Sequence, residues 1–258
     1  MQDGYLTTRH LRLPDGSFPH LGVGDGEVAP VALLAGSPAR VELMAKMLAG
    51  AERVGDRRGY AVYTGRFEGA PVTVATSGVG APSLSIAVEE LGACGVRTFI
   101  RVGSCAAIHE DIPVGGLAII HAAVSDEGTS RYYAPSNYPP VASPAVVASL
   151  IESARSRGHE LPVGVSRSTD SFYEGERKTE IIDQWRRLGL FAFDMETSAL
   201  FTVSAALGWQ AGSIVVAGTN LLTGEATYQG DGVDEYAEGQ EEMLNIALQA
   251  AGRLSAIA

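Results

Sequence analysis

Short β-forming runs alternate with stretches of helical spacing from Val31 onward, and this alternation limits the fold more than any other feature. Val31–Ala35, Val72–Thr76, Thr98–Val102, Gly116–Ser125, Leu161–Ser168, Leu190–Phe193 and Ala211–Gly218 read as strands. Helices are expected over Ala39–Leu48, Ser83–Leu91, Pro144–Arg157, Thr179–Leu188, Thr197–Leu207 and Tyr236–Leu254. Several of the strands are unbroken apolar runs, the pattern of a sheet covered on both faces. Tyr60–Thr64 alternates and pairs with Val72–Thr76 through a turn at Glu68-Gly69, a β-hairpin. The expected fold is therefore α/β, a central, mostly parallel, twisted sheet flanked by helices on both faces. A chain of 258 residues suits one such domain, 1–258, with residues 1–27 as a polar N-terminal arm.

Within that frame the stretch TFIRVGSCAA, Thr98–Ala107, concentrates the chemistry. Phe99, Ile100 and Val102 are β-formers, and Gly103 reads as the turn that ends the strand. Arg101 interrupts the apolar run; a guanidinium there either pairs with a buried carboxylate or meets an anion. Gly103, Ser104 and Cys105 are small, so a ligand can approach the backbone closely and find hydroxyl and N–H donors. Ligands of open α/β sheets sit beyond the carboxyl ends of the strands. A second seat follows Val31–Ala35, where Gly36, Ser37 and Pro38 open a helix that carries Arg40 in its first turn. Ser77–Ser83 is a Gly-rich turn without the spacing of a dinucleotide fingerprint or a P-loop lysine. The long segment 126–144, rich in Pro and Tyr, is a candidate lid or partner contact.

Charge narrows the partners. With 19 basic against 30 acidic residues the net charge is −11, which disfavours nucleic acid and anionic membranes. An acidic protein that holds an anion must gather its arginines locally. The two cysteines, Cys94 and Cys105, form neither a disulfide framework nor a metal motif, and a cytoplasmic setting is expected. No apolar run reaches the length of a membrane span, and the N-terminal stretch MQDGYLTTRHLRLPDG has no apolar signal-peptide core.

Four stretches occur in one order: PHLG with His20, AGSPAR with Gly36 and Arg40, FIRVGSC with Arg101 and Ser104, and FDMETSAL with Met195 and Glu196. Together with SGVGAPSLSIAVEELGACGVRTFIRVG and STDSFYEG, they resemble the nucleoside phosphorylase-I family, and its uridine phosphorylase branch in particular. The resemblance covers about residue 18 to the C-terminus. It implies a partly barrel-like sheet and reversible phosphorolysis of a nucleoside to free base and pentose 1-phosphate, with inorganic phosphate as co-substrate and no other cofactor. It assigns Gly36, Arg40, Arg101 and Ser104 to phosphate, joined by Arg58 from a neighbouring subunit. His20 is matched to the ribose 5′-hydroxyl across the same interface, and Asp194, Met195 and Glu196 to the sugar. Cys105, Ala106, Phe172, Glu176 and Lys178 fall where the base is read. Arg101, Glu196 and Arg40 are the implied catalytic set, and the assembly implied is a homo-oligomer, a hexamer built of dimers.

The chain departs from the branch where the base is read. Glu176 and Lys178 stand in place of a glutamine and an arginine, Leu221 in place of a further arginine, and Cys105-Ala106 in place of Thr-Gly. An ionised glutamate only accepts hydrogen bonds, which suits a base edge with two donors, such as guanine N1–H and its 2-amino group. A purine nucleoside phosphorylase on the same frame is therefore the alternative, ahead of a nucleosidase or a non-catalytic nucleoside binder. Gly59 replaces a glutamate that some relatives use for a monovalent cation, so no metal is expected.

Overall fold

The computed structural model describes residues 11–173 and 178–256. Among these described residues nine strands form one sheet: β1 Val31–Ala35, β2 Ala49–Arg57, β3 Tyr60–Phe67, β4 Ala70–Thr76, β5 Thr98–Ala107, β6 Leu117–Asp126, β7 Val163–Thr169, β8 Leu190–Asp194 and β9 Gln210–Asn220. Six helices accompany them: α1 Pro38–Lys46, α2 Ala81–Cys94, α3 Pro144–Ser156, α4 Lys178–Arg187, α5 Thr197–Ala206 and α6 Val233–Ser255. The sheet order is β2-β3-β4-β1-β5-β8-β7-β6-β9, and β9 pairs back onto β5. Five strands thus close into a barrel, and β1 to β4 extend from it as a wing.

The sheet is mixed, with parallel pairings in the majority. The pairings β1–β4, β1–β5, β5–β9, β6–β7 and β7–β8 are parallel, while β2–β3, β3–β4, β5–β8 and β6–β9 are antiparallel. Closure explains the mixture, because β8 and β6 must run against β5 and β9 to complete the ring. It also explains why β5 does not stop at Gly103. That strand continues beside β9 to the pair Ala107–Asn220, with one register shift between Cys105 and Ala106.

The wing contains the expected hairpin, β3–β4, closed by Glu68-Gly69. It also contains a second one, β2–β3, closed by Arg58-Gly59. Both turns have positive φ at both central positions (51° and 85°, 48° and 87°), the twist that two-residue hairpins prefer. β2 is an exposed edge strand that buries little besides Gly55, so no alternation marks it in the sequence.

One core lies between the sheet and helices α2 and α5, and a second between the sheet and helices α1, α3 and α6. Part of the segment expected as a polar N-terminal arm packs on the first. Phe18, Leu21 and Val23 are fully buried there, with Leu21 so close over β2 that a methyl group at Gly55 would meet its carbonyl at 2.5 Å. Helix α5 is buried from Thr197 to Ser204, which fits its run of small and apolar residues. Among the described residues no helix is long and apolar enough to cross a membrane.

Candidate active site

β1 and β5 are parallel neighbours, so Gly36 after β1 and Ser104 near the end of β5 lie at the same edge of the sheet. β8 meets β5 head-on through Ala106–Phe193 and Ala107–Ala192, which carries Asp194, Met195 and Glu196 to the same place. Helices α1 and α6 close it from the other face with Arg40, Tyr236 and Gln240.

Arg101 is almost wholly buried and pairs with two carboxylates: its Nη2 lies 2.8 Å from Glu196 Oε2 and its Nε 3.2 Å from Asp194 Oδ2. The open question about this guanidinium is answered in part, for it does meet buried carboxylates. Burial opposes the Arg101 charge, but Glu196 and Asp194 outweigh it and hold the pKa above the ordinary arginine value. Gly103 makes room, because a methyl group there would sit 2.3 Å from Arg101 Cζ.

Asp194 is turned inward. Its Oδ1 accepts from Ser168 Oγ at 2.6 Å, and its Oδ2 accepts from the backbone N–H and the hydroxyl of Thr197 as well as from Arg101. Those contacts use the carboxylate to anchor Arg101 and the first turn of α5. Glu196, also buried, accepts from Gly80 N at 2.7 Å with Oε1 and meets Arg101 with Oε2. Burial raises the Glu196 pKa, Arg101 pulls it down and Asp194 adds to the rise. Met195 between them is half-buried.

Arg40 is equally buried but has a different shell. Nε donates to Gln240 Oε1 at 2.9 Å, Nη1 to the Val102 carbonyl at 3.0 Å, and Nη2 to Ser104 Oγ at 2.7 Å and Tyr236 OH at 2.8 Å. Every one of these partners is neutral. Burial lowers the Arg40 pKa and Tyr236 offsets part of the effect, yet a guanidinium stays charged at neutral pH. A buried cation ringed by neutral acceptors is a standing site for an anion.

Cys105 is buried and its thiol is pushed up to about 12 by burial, with Asp194 adding to the rise and Arg101 opposing it. Ala106 is half-buried beside it. Phe172 is exposed at the end of β7 and meets the exposed Tyr173 and Tyr228 edge-on, at ring separations of 4.9 and 6.2 Å. Glu176 lies outside the described residues, and Lys178 is placed as the first residue of α4.

His20 and Arg58 stand apart from this cluster. His20 Nδ1 lies 2.6 Å from the buried Glu90 of α2, which also accepts from the His20 and Leu21 backbone N–H groups. Arg58 is exposed at the tip of the β2–β3 hairpin. Among the described residues no hydrogen bond or ion pair links it to Arg40, Arg101 or Ser104.

Tyr236, Gln240 and Gly80 are site residues that the sequence pattern did not single out. The only trace of the first two is a pair of polar side chains four residues apart near the start of the last helix. Asn220, at the end of β9, is structural: its amide bridges the His109 and Ile112 carbonyls to the Leu222 and Thr223 N–H groups. Among the described residues no cluster of His, Cys, Asp or Glu is arranged to hold a metal ion.

A closed barrel with a wing thus carries at its rim a buried guanidinium among neutral acceptors, beside a buried arginine–glutamate pair. The chain belongs to the phosphorylase superfamily, whose family model matches residues 30–257. It is similar to the uridine phosphorylase of Thermococcus kodakarensis, with 36% identity over 87% of this chain and 85% of the relative. It is similar as well to the guanosine phosphorylase of Halorubrum lacusprofundi, with 33% identity over 90% of this chain and 95% of the relative. Among solved structures, the purine nucleoside phosphorylase of Toxoplasma gondii in complex with immucillin-H superimposes with a TM-score of 0.88 at 27% identity, over 94% of this chain and 98% of that one.

Proposed function

We propose that this chain is a nucleoside phosphorylase of the uridine phosphorylase type, a pentosyltransferase that exchanges the base of a nucleoside for inorganic phosphate. The observation that carries the proposal is the buried Arg40 guanidinium with neutral partners only, next to the Arg101–Glu196 pair. Phosphate is held by Arg40, Arg101, Ser104 and the Gly36 turn, beneath the sugar. Its oxygen forms the new bond to C1′ as the C1′–N bond breaks, and the electron pair of that bond leaves with the base. The transition state is positive at the sugar and negative on the base. The phosphate dianion supports the positive sugar, and Glu196 orients the 2′- and 3′-hydroxyls. Met195 covers the sugar, and Asp194 acts behind Arg101 as a positioning residue.

Phe172, Cys105, Ala106, Glu176 and Lys178 surround the base, and Lys178 offers a charged donor to the departing anion. His20 and Arg58 complete the site of a neighbouring subunit in a homo-oligomer, a hexamer built as a trimer of dimers. The chain 1–258 acts as one domain, without cofactor other than phosphate, and a cytoplasmic setting suits its two free thiols.

A purine base, guanine or hypoxanthine, is the second reading, favoured by the acceptor-only Glu176 and by the similarity to a guanosine phosphorylase. Base release from uridine, thymidine, cytidine, inosine, guanosine and adenosine, each with and without phosphate, tests both. Phosphate-dependent cleavage of uridine supports the first, and of guanosine or inosine alone the second. Cleavage that ignores phosphate would overturn the phosphorylase proposal. Arg101→Ala should lower phosphorolysis by about 10²–10³-fold, the loss typical when one preorganised transition-state donor is removed. A hydrolase would show little phosphate-linked change.

A further inference from the structure

We propose that Tyr236, supported by Gln240, is a positioning residue of the phosphate seat: its hydroxyl locks Arg40 and Ser104 in register and turns the Ser104 hydroxyl toward the anion. The inference rests on the phosphate reading given above and assigns a role to helix α6, which that reading does not use.

The geometry is a closed triangle. Arg40 Nη2 donates to Ser104 Oγ at 2.7 Å and to Tyr236 OH at 2.8 Å, and the two hydroxyl oxygens are 2.8 Å apart. Both Nη2 hydrogens are therefore spent inside the triangle. Two hydroxyl protons remain, and the contact between the two oxygens can use only one of them. The other must point out of the triangle. A phenol is the stronger acid, so the favoured arrangement has Tyr236 donating to Ser104, and Ser104 keeps its own O–H free for an acceptor. A phosphate oxygen has lone pairs and, as a dianion, no proton to give. Ser104 in this state is a donor fixed beside a buried guanidinium, the pairing that strengthens a charge-assisted hydrogen bond.

The support under Tyr236 is rigid. Its ring lies over β9, with a methyl group at Gly218 placed 3.5 Å from Tyr236 Cε2. The first turns of α6 press on the loop before β6 so closely that a methyl group at Gly239 would meet the Gly115 carbonyl at 2.1 Å. One turn after Tyr236, Gln240 holds Arg40 Nε at 2.9 Å. Helix α6 thus fixes two of the three nitrogens of Arg40, and the Val102 carbonyl on β5 fixes the third. A seat held on a helix and a strand is better ordered than one on loops.

The test compares the full-length wild type, Tyr236→Phe, Gln240→Met and Arg40→Ala. It measures KM for phosphate, KM for the nucleoside, kcat, and the rise in Tm on adding inorganic phosphate. Tyr236→Phe keeps the ring and its packing, so the Tm without ligand should hold. KM for phosphate should rise about tenfold or more, the scale of a lost hydrogen bond to a charged group. The phosphate-induced Tm rise should shrink and KM for the nucleoside should stay near the wild-type value. Gln240→Met should move the same quantities in the same direction by less. An unchanged KM for phosphate in both variants, with a wild type that phosphate stabilises, overturns the role of Tyr236 and leaves the phosphate seat standing. A wild type indifferent to phosphate, with Arg40→Ala equally active, overturns the seat and the inference together.

Discussion

A methyl group placed on Gly103 would lie 2.3 Å from both Arg101 Cζ and Nη1, and 2.6 Å from Nη2. An arginine head in water would swing aside at little cost. This one is buried and pinned by Glu196 and Asp194, so Gly103→Ala displaces the guanidinium rather than the fold. The expected result is a fall in phosphorolysis of about 10²-fold, the usual cost of misplacing a reacting group by an ångström. The accompanying loss of stability should stay within about 1–3 kcal/mol. Steady-state rates and chemical denaturation of the purified variant check the two effects separately. Cys105 provides a second test at this scale. It is buried and its pKa is pushed up to about 12, and Cys94 is buried with a similar rise to about 12, burial being the main cause in both. At pH 8 a thiol of that acidity is ionised to about one part in 10⁴, and the thiolate is the reactive form. A disulfide reagent should find no reactive thiol in the native protein, and two after unfolding. Fast modification of Cys105 in the folded protein would mean that the base side of the site opens to solvent.

The elements legible in the sequence were those whose residues are buried by neighbours close at hand. β1 and most of β8 are unbroken apolar runs, the first half of β5 is an apolar run interrupted by Arg101, and α1 announces itself with Pro38 at its first turn. β2 was not legible, because an exposed edge strand has no apolar alternation to display. The second half of β5 was hidden for another reason: Gly103 and Ser104 look like a turn unless β9, more than a hundred residues later, is known to lie alongside. The segment after β6 shows what such distant contacts achieve. Glu127 accepts from Ser125 Oγ at 2.8 Å, Thr129 N at 2.5 Å, Ser130 N at 3.1 Å and, on α5, Ser198 Oγ at 3.1 Å. Burial alone would raise the Glu127 pKa, but the hydrogen bonds from Ser130, Ser125 and Thr129 outweigh it and hold the pKa below 4.5. A carboxylate whose pKa falls on folding adds stability above its unfolded value and loses it as the pH drops through the folded value. Glu127→Gln should therefore lower stability at neutral pH. It should also flatten the decline of stability below pH 4.5, as read from urea midpoints across the acid range. A variant with the same acid slope as the wild type would show that Glu127 does not tie the start of this segment to α5.

The whole molecule carries a net charge of −11, yet it buries two arginines side by side at one rim of the barrel. The candidate site was legible to the extent that it lies in short motifs: Arg40, Arg101, Ser104 and Glu196 were each named from the sequence, and the fold brings them together. Tyr236 and Gln240 were not, since nothing local distinguishes two polar residues on a surface helix from solvated ones. His20 and Arg58 pose the converse problem, for they are named by resemblance but stand away from the cluster within one chain. His20 is tied down by the buried Glu90, and Arg58 occupies a left-handed position, φ 51°, at a hairpin tip. The hairpin twist accounts for that conformation, and it is the resemblance that assigns the Arg58 side chain to a neighbouring copy. Mixing subunits decides it. Arg58→Ala and Arg101→Ala should each be nearly inactive alone. If Arg58 serves the neighbour, a mixed dimer has one intact site, with Arg101 from one chain and Arg58 from the other. After free exchange of an equal mixture, half the dimers are mixed and half their sites are whole, so activity should recover to about a quarter of the wild-type value in a two-fold dimer. If Arg58 acts within its own chain, no mixed dimer contains an intact site and the mixture stays as inactive as its parts.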